Sequence, residues 1–172
     1  MSARWYTKWV GALACAFAFL SCNPFAPAYH EDGLSGINVL GDPTTIDGYF
    51  QLFKNAYEMR DTTLYGRLFT EDFVFTYRDF DLGQEISWDR ATELNISYRL
   101  FQSVLQINLD WNYYVDRDTT PLEASITRNF NLIIEQDEST AYSGAGRARL
   151  RLRRASPGDA WKAYSWFDDS DF

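Results

Sequence analysis

The sequence predicts an α+β domain, with three helices from the N-terminal half packed on a strongly bent, mostly antiparallel sheet to form a cone-shaped α+β barrel. Three observations carry that prediction. Apolar residues recur at helical spacing between Ile46 and Tyr57, and the period drops to two at Phe73. Alternating runs then occupy most of the chain from Leu105 to Asp168. Helices first and strands afterwards is the order of an architecture in which helices cover one face of a sheet.

The elements follow in order. Ile46, Tyr49, Phe50, Phe53 and Tyr57 fall on one helical face, and Asp47, Gln51, Lys54, Asn55 and Glu58 on the other. Thr44 or Thr45 can cap this helix, and Asp61 or Thr62 can start a shorter second one that turns Leu64, Leu68 and Phe69 inward. Phe73, Phe75 and Tyr77 then share one side of a strand. Arg78 to Ser87 reads as a loop. Ser87 reads as the cap of a third helix, with Asp89 in its first turn and Trp88, Ala91, Leu94, Tyr98 and Phe101 as its inward stripe. Alternation returns at Leu105 to Val115 and at Ile126 to Ile134, with a loop at Asp116 to Glu123 between them. Asp137-Glu138-Ser139 suits a hairpin, after which Tyr142, Gly144, Gly146, Ala148, Leu150 and Leu152 share a side. The small residues at 144, 146 and 148 permit a sharp bend. Ser156-Pro157-Gly158-Asp159 is a turn, and Ala160 to Asp168 closes the sheet. A cone of this kind can leave a cavity at its open end.

With 172 residues, six Trp, eleven Tyr and thirteen Phe, the chain can build one substantial core. Its net charge of −8 opposes a nucleic-acid surface, which needs a basic excess. At the N-terminus Arg4 and Lys8 precede the apolar run Val10 to Leu20, too short to cross a hydrocarbon layer of ~30 Å as a helix. The run ends in Phe19-Leu20-Ser21-Cys22, which resembles a bacterial lipoprotein signal. The resemblance implies removal of residues 1–21, lipid on Cys22 and a membrane partner held through that lipid. It also implies a location in the cell envelope facing away from the cytoplasm. An ordinary secretory signal or an uncleaved anchor are the alternatives. On the lipoprotein reading, residues 22–43, rich in Pro and Gly, form a tether. Residues 44–172 then form a domain without cysteine, and the single histidine, His30, lies in the tether.

The paired helices leading into LFTEDFVFTY, together with AWKAYSWFDD as the last strand, resemble the nuclear transport factor 2-like superfamily, also called SnoaL-like or cystatin-like. The resemblance covers roughly Thr44 to Asp169. It implies a cone with room for a ligand and, in many relatives, a homodimer. Ketosteroid isomerases, dehydratases, polyketide cyclases, ring-hydroxylase small subunits and binding or assembly modules share this fold, so the resemblance selects no reaction.

The candidate pocket residues are Tyr57, Phe75, Tyr77, Tyr98, Trp111, Arg128 and Trp166. Tyr57, Tyr77 and Tyr98 could aim a hydroxyl at a developing oxyanion, with Asp79 or Asp168 as the base. The plainer reading makes these tyrosines core aromatics whose hydroxyls reach the rim. No His–Asp or paired-carboxylate arrangement stands out, so no catalytic residue is assigned. Arg128, between Ile126 and Phe130, must be paired if buried, either with a ligand carboxylate or with Asp79 or Asp168. Arg147, Arg149, Arg151 and Arg153 form an outward stripe. It suits an anionic partner or lipid headgroups, or else cross-strand pairing with Asp110 or Glu135. Asp79, Asp81, Gly83 and Glu85 lack the spacing of a calcium loop, and nothing in the chain calls for a metal or cofactor. The expected function is therefore a membrane-anchored lipoprotein whose domain binds a small apolar ligand or serves in assembly, without catalysis. The alternatives are a cofactor-free isomerase or dehydratase, and a protein-interaction domain without a pocket.

Overall fold

The structure, a computed structural model, describes residues 39–80 and 82–170. The expected signal, the lipidation site Cys22, His30 and the tether as far as residue 38 lie outside the described residues, as do Asp81 and the last two positions. Among the described residues, three helices, α1 (Ile46–Glu58), α2 (Thr62–Arg67) and α3 (Arg90–Ser103), pack on one six-stranded sheet. Its strands are β1 (Phe69–Asp79), β2 (Gln84–Asp89), β3 (Gln106–Thr119), β4 (Glu123–Glu135), β5 (Ala141–Arg153) and β6 (Lys162–Ser170). They lie in the order β2-β1-β6-β5-β4-β3, with β1 parallel to β6 and every other pair antiparallel. The α+β class and the helix–sheet layering are those the sequence predicts.

Thr45 caps α1 by accepting from the Gly48 amide at 3.0 Å, and Asp61 caps α2 by accepting from the Thr63 and Leu64 amides. The inner face of α1 is the expected one: Ile46, Tyr49, Phe50 and Phe53 are buried. Phe53 is the centre of the aromatic core. It meets Trp111 at 5.3 Å, Trp166 at 5.4 Å and Tyr65 at 5.5 Å between ring centroids, each nearly edge to face. Such pairs add ~0.5–1.5 kcal/mol each beyond the area they bury.

Backbone expected to belong to the tether is bonded to the domain. Leu40 O accepts from Asn55 Nδ2 at 2.9 Å, and Pro43 O accepts from the Trp161 amide at 2.8 Å. The Asp42 carbonyl lies so close to Gly48 that a Cβ there would sit 2.0 Å from its oxygen, so only glycine fits.

The third helix begins later than the sequence suggests. Gln84–Asp89, read as loop and helix cap, is a strand paired with β1, and Asp89 rather than Ser87 caps α3 by accepting from the Thr92 amide. Trp88 stacks on Phe75 at 4.5 Å across that pairing, and strand geometry gives both residues this contact. The buried face of α3 is therefore Glu93, Ser97 and Phe101, while Tyr98 is 52% exposed.

On β5 the predicted split holds where the core begins: Ala148, Leu150 and Leu152 are buried, and Arg147, Arg149, Arg151 and Arg153 are exposed. The arginines do not pair with Asp110 or Glu135. Arg153 meets Asp72, Arg147 lies 4.0 Å from Asp169, and Arg149 sits over the Phe167 ring. Asp110 instead meets Lys54. Gly146 faces Phe130 on β4 and Ser170 on β6, and a Cβ there would lie 2.5 Å from Ser170 Cβ and 2.8 Å from Phe130 Cζ. Gly146→Ala should therefore destabilise the fold by roughly 1–3 kcal/mol through overpacking, read as a lowered urea midpoint at unchanged slope.

Candidate functional site

A cavity of about 170 Å³ lies between the helices and the sheet. Helix α1 contributes Phe53 and Tyr57, β1 contributes Phe75, β3 contributes Trp111 and β6 contributes Trp166. Trp88 of β2 and Glu93 and Ser97 of α3 bring polar atoms to an otherwise apolar wall, as does Asp168 of β6. Ile96 is the one exposed lining residue, at 44%. An apolar cavity of ~150 Å³ is enough to accept benzene, so this one is sized for a single ring with a short substituent.

The two carboxyl groups in the wall have opposite surroundings. Glu93, buried, is hydrogen-bonded at both oxygens: Tyr65 Oη donates to Oε1 at 2.8 Å, Ser97 Oγ to the same oxygen at 3.0 Å, and Trp88 Nε1 to Oε2 at 2.7 Å. Asp168 is half-buried, and its Oδ1 has no hydrogen-bond partner among the described residues. Loss of water around Asp168 pushes its pKa up to about 6; Ser170 opposes this through a hydrogen bond, and the charges of Asp169 and Glu93 add to it. Burial raises the Tyr57 hydroxyl well above the usual tyrosine range, with Glu93 and Asp168 adding to the effect.

Among the described residues, four buried side-chain nitrogen or oxygen atoms lack a partner, and three of them are on residues that line the cavity: Trp111 Nε1, Trp166 Nε1 and Asp168 Oδ1. Each such atom costs ~1–3 kcal/mol when buried unpaired. Their concentration at one place marks the cavity as the polar weak point of the core.

Of the seven pocket residues proposed from sequence, Tyr57, Phe75, Trp111 and Trp166 line this cavity. Tyr77 lies outside the wall, against Trp88 at 5.5 Å, and Tyr98 faces out from α3 because that helix starts at Arg90. Arg128 serves the sheet. The β3–β4 register shifts between Trp111 and Tyr114, and Arg128 donates to the Asn112 carbonyl at 2.8 Å and the Trp111 carbonyl at 3.2 Å there. Its guanidinium also lies over the Phe50 and Tyr114 rings, so its partners are carbonyls and rings rather than Asp79 or Asp168. Asp79 accepts from the Leu82 amide and holds a turn. Sequence reasoning passed over Trp88, Glu93 and Ser97. The available signal was Glu93, Ser97 and Phe101 at successive four-residue steps, a polar pair in register with a core aromatic.

The raised pKa of Asp168 sets a sign for stability. The folded value of about 6 exceeds the unfolded value near 3.8, so its contribution to stability is complete below pH ~4 and is lost as pH rises through 6. Asp168→Asn should therefore raise the melting temperature at pH 8, by an amount equivalent to ~1–3 kcal/mol, and leave it nearly unchanged at pH 4. Thermal melts at the two pH values check this.

No family model and no curated protein matches the sequence. Solved structures do match the fold. A protein from Novosphingobium aromaticivorans assigned as a scytalone dehydratase superposes with a TM-score of 0.64 at 13% identity, over 80% of this chain and 88% of that one. A dehydratase assigned to the nuclear transport factor 2-like family, from Streptomyces avermitilis, gives 0.57 at 18% identity, over 72% and 91%. The beta subunit of the benzoate 1,2-dioxygenase from Burkholderia mallei gives 0.62 at 15% identity, over 76% and 91%. The fold is that of the nuclear transport factor 2-like cone.

Proposed function

We propose that this protein holds a small, apolar-bodied molecule in the cavity between α1, α3 and the sheet, and that it does so as a lipoprotein anchored through Cys22 in the bacterial cell envelope. The binding reading rests on one observation: an aromatic cavity of about 170 Å³ whose lining residues carry three of the four unpartnered buried polar side-chain atoms among the described residues. A well-packed core without a ligand has little use for such a wall. The anchor rests on the sequence from Arg4 to Cys22 alone. Titrating the full chain in detergent with toluene should quench tryptophan fluorescence saturably. Leu132→Trp, which fills the cavity, should abolish the effect. Quenching that never saturates, or that is the same in the variant, contradicts a binding cavity.

A second reading is favoured by Asp168. A carboxyl group with a pKa of about 6 in an apolar wall is matched to proton transfer near neutral pH, the requirement of a cofactor-free isomerase or dehydratase. The dehydratase assignments of two structural neighbours agree with this class and do not select it. Isomerisation of 3-cyclohexenone to its conjugated form is a direct assay. On this reading the rate rises as pH passes through about 6 and falls at least 100-fold in Asp168→Asn. Equal rates for wild type and variant leave binding without turnover.

A further inference from the structure

We propose that the cavity selects a small organic cation, a hydrophobic amine or quaternary ammonium built on one ring, with Asp168 as its counter-ion. This rests on the binding reading above and names the ligand class for the same site. Two carboxyl groups, Glu93 and Asp168, stand in the wall, and no Lys, Arg or His lines it among the described residues. An anionic ligand therefore meets only like charge. A neutral apolar ligand leaves the Asp168 oxygen as it is, buried and without a partner.

A cation answers both features of the wall. The remaining surface is rings, whose faces attract positive charge within ~6 Å of their centroids, tryptophan most strongly. Phe53, Phe75, Trp111 and Trp166 all line the cavity, and they pack edge to face on one another, Phe53 at 5.3 Å from Trp111 and 5.4 Å from Trp166, and Trp166 at 5.0 Å from Phe75. Glu93 already accepts three hydrogen bonds, whereas Asp168 keeps an oxygen for an ammonium N–H or for the field of a quaternary nitrogen. The unpartnered indole N–H groups of Trp111 and Trp166 gain nothing from positive charge and suit a neutral oxygen elsewhere on the same molecule.

Benzyltrimethylammonium and neopentylbenzene have the same shape and differ by one charge, which isolates the question. Tryptophan fluorescence titrations of the full chain in detergent at pH 8 should show the cation binding at least tenfold more tightly than the hydrocarbon. That preference should vanish in Asp168→Asn. In wild type it should also weaken as the pH falls from 8 to 5, because protonation removes the counter-ion. Asp169 on β6 and Glu93 from α3 are the titratable groups acting on Asp168, which itself acts on Tyr57 of α1, and Tyr77 and Ala148 are its cross-strand neighbours on β1 and β5. The pH arm needs no variant, so it decides the matter even where Asp168→Asn folds poorly. Equal or tighter binding of neopentylbenzene overturns the cation proposal and leaves the binding cavity standing. A preference for the cation that is independent of pH overturns Asp168 as its counter-ion. Binding of neither molecule overturns the cavity reading itself.

Discussion

Glu93 is the interaction on which the rest of the site depends. Its carboxyl group receives Tyr65 from α2, Trp88 from β2 and Ser97 from its own helix, so one buried side chain ties two elements, α2 and β2, to α3. A carboxyl group at that depth is tolerable only when it is hydrogen-bonded, and here its two oxygens share three donors. The consequence is geometric. With Trp88 held by Glu93 and stacked on Phe75, the β2 edge closes against the helix, and the gap that remains toward Trp111 and Trp166 is the cavity.

Glu93 and Asp168 show how one residue chemistry acquires two roles from its surroundings. The first is structural because both of its oxygens are hydrogen-bonded. The second stands in the same wall with an oxygen unpaired, so desolvation dominates it and its proton is held up to about pH 6. Phe53 supplies the common floor: its ring touches residues from α2, β3 and β6, so the position of α1 fixes the spacing of the aromatic wall. On the binding reading proposed above, the site acts through shape and charge together, with the charge on a residue whose state changes within the range of ordinary solution conditions.

Much of the fold was legible because its cues are periodic. The inner face of α1 and the alternation of β4, and of β5 from Ala148 on, are written in residue spacing, and burial follows that spacing. On β3 the alternation holds from Ile107 to Trp111 and fails beyond it, where the register shifts, Tyr113 and Val115 are exposed, and Tyr114 packs on Phe50. The first error came where periodicity gives way to pairing. Trp88 reads equally well as the start of a helix or the end of a strand, and only β1 opposite it decides. That shift turned Tyr98 outward and brought Glu93 and Ser97 inside, which single-residue polarity opposes and the hydrogen-bond network permits. Arg128 was legible as an inward arginine. Its partners were not, because they are carbonyls at a register shift that no local sequence cue marks.

The most direct measurement is a carbon-13 carboxyl titration of the full chain, with the Asp168 resonance identified by its loss in Asp168→Asn. An inflection near pH 6 is the predicted result, reporting a carboxyl group held largely out of solvent in an aromatic wall. An inflection at the ordinary aspartate value near 4 would contradict the account, because it would mean that water or a donor already satisfies Asp168 and that the cavity wall carries no unpaired charge for a ligand to meet.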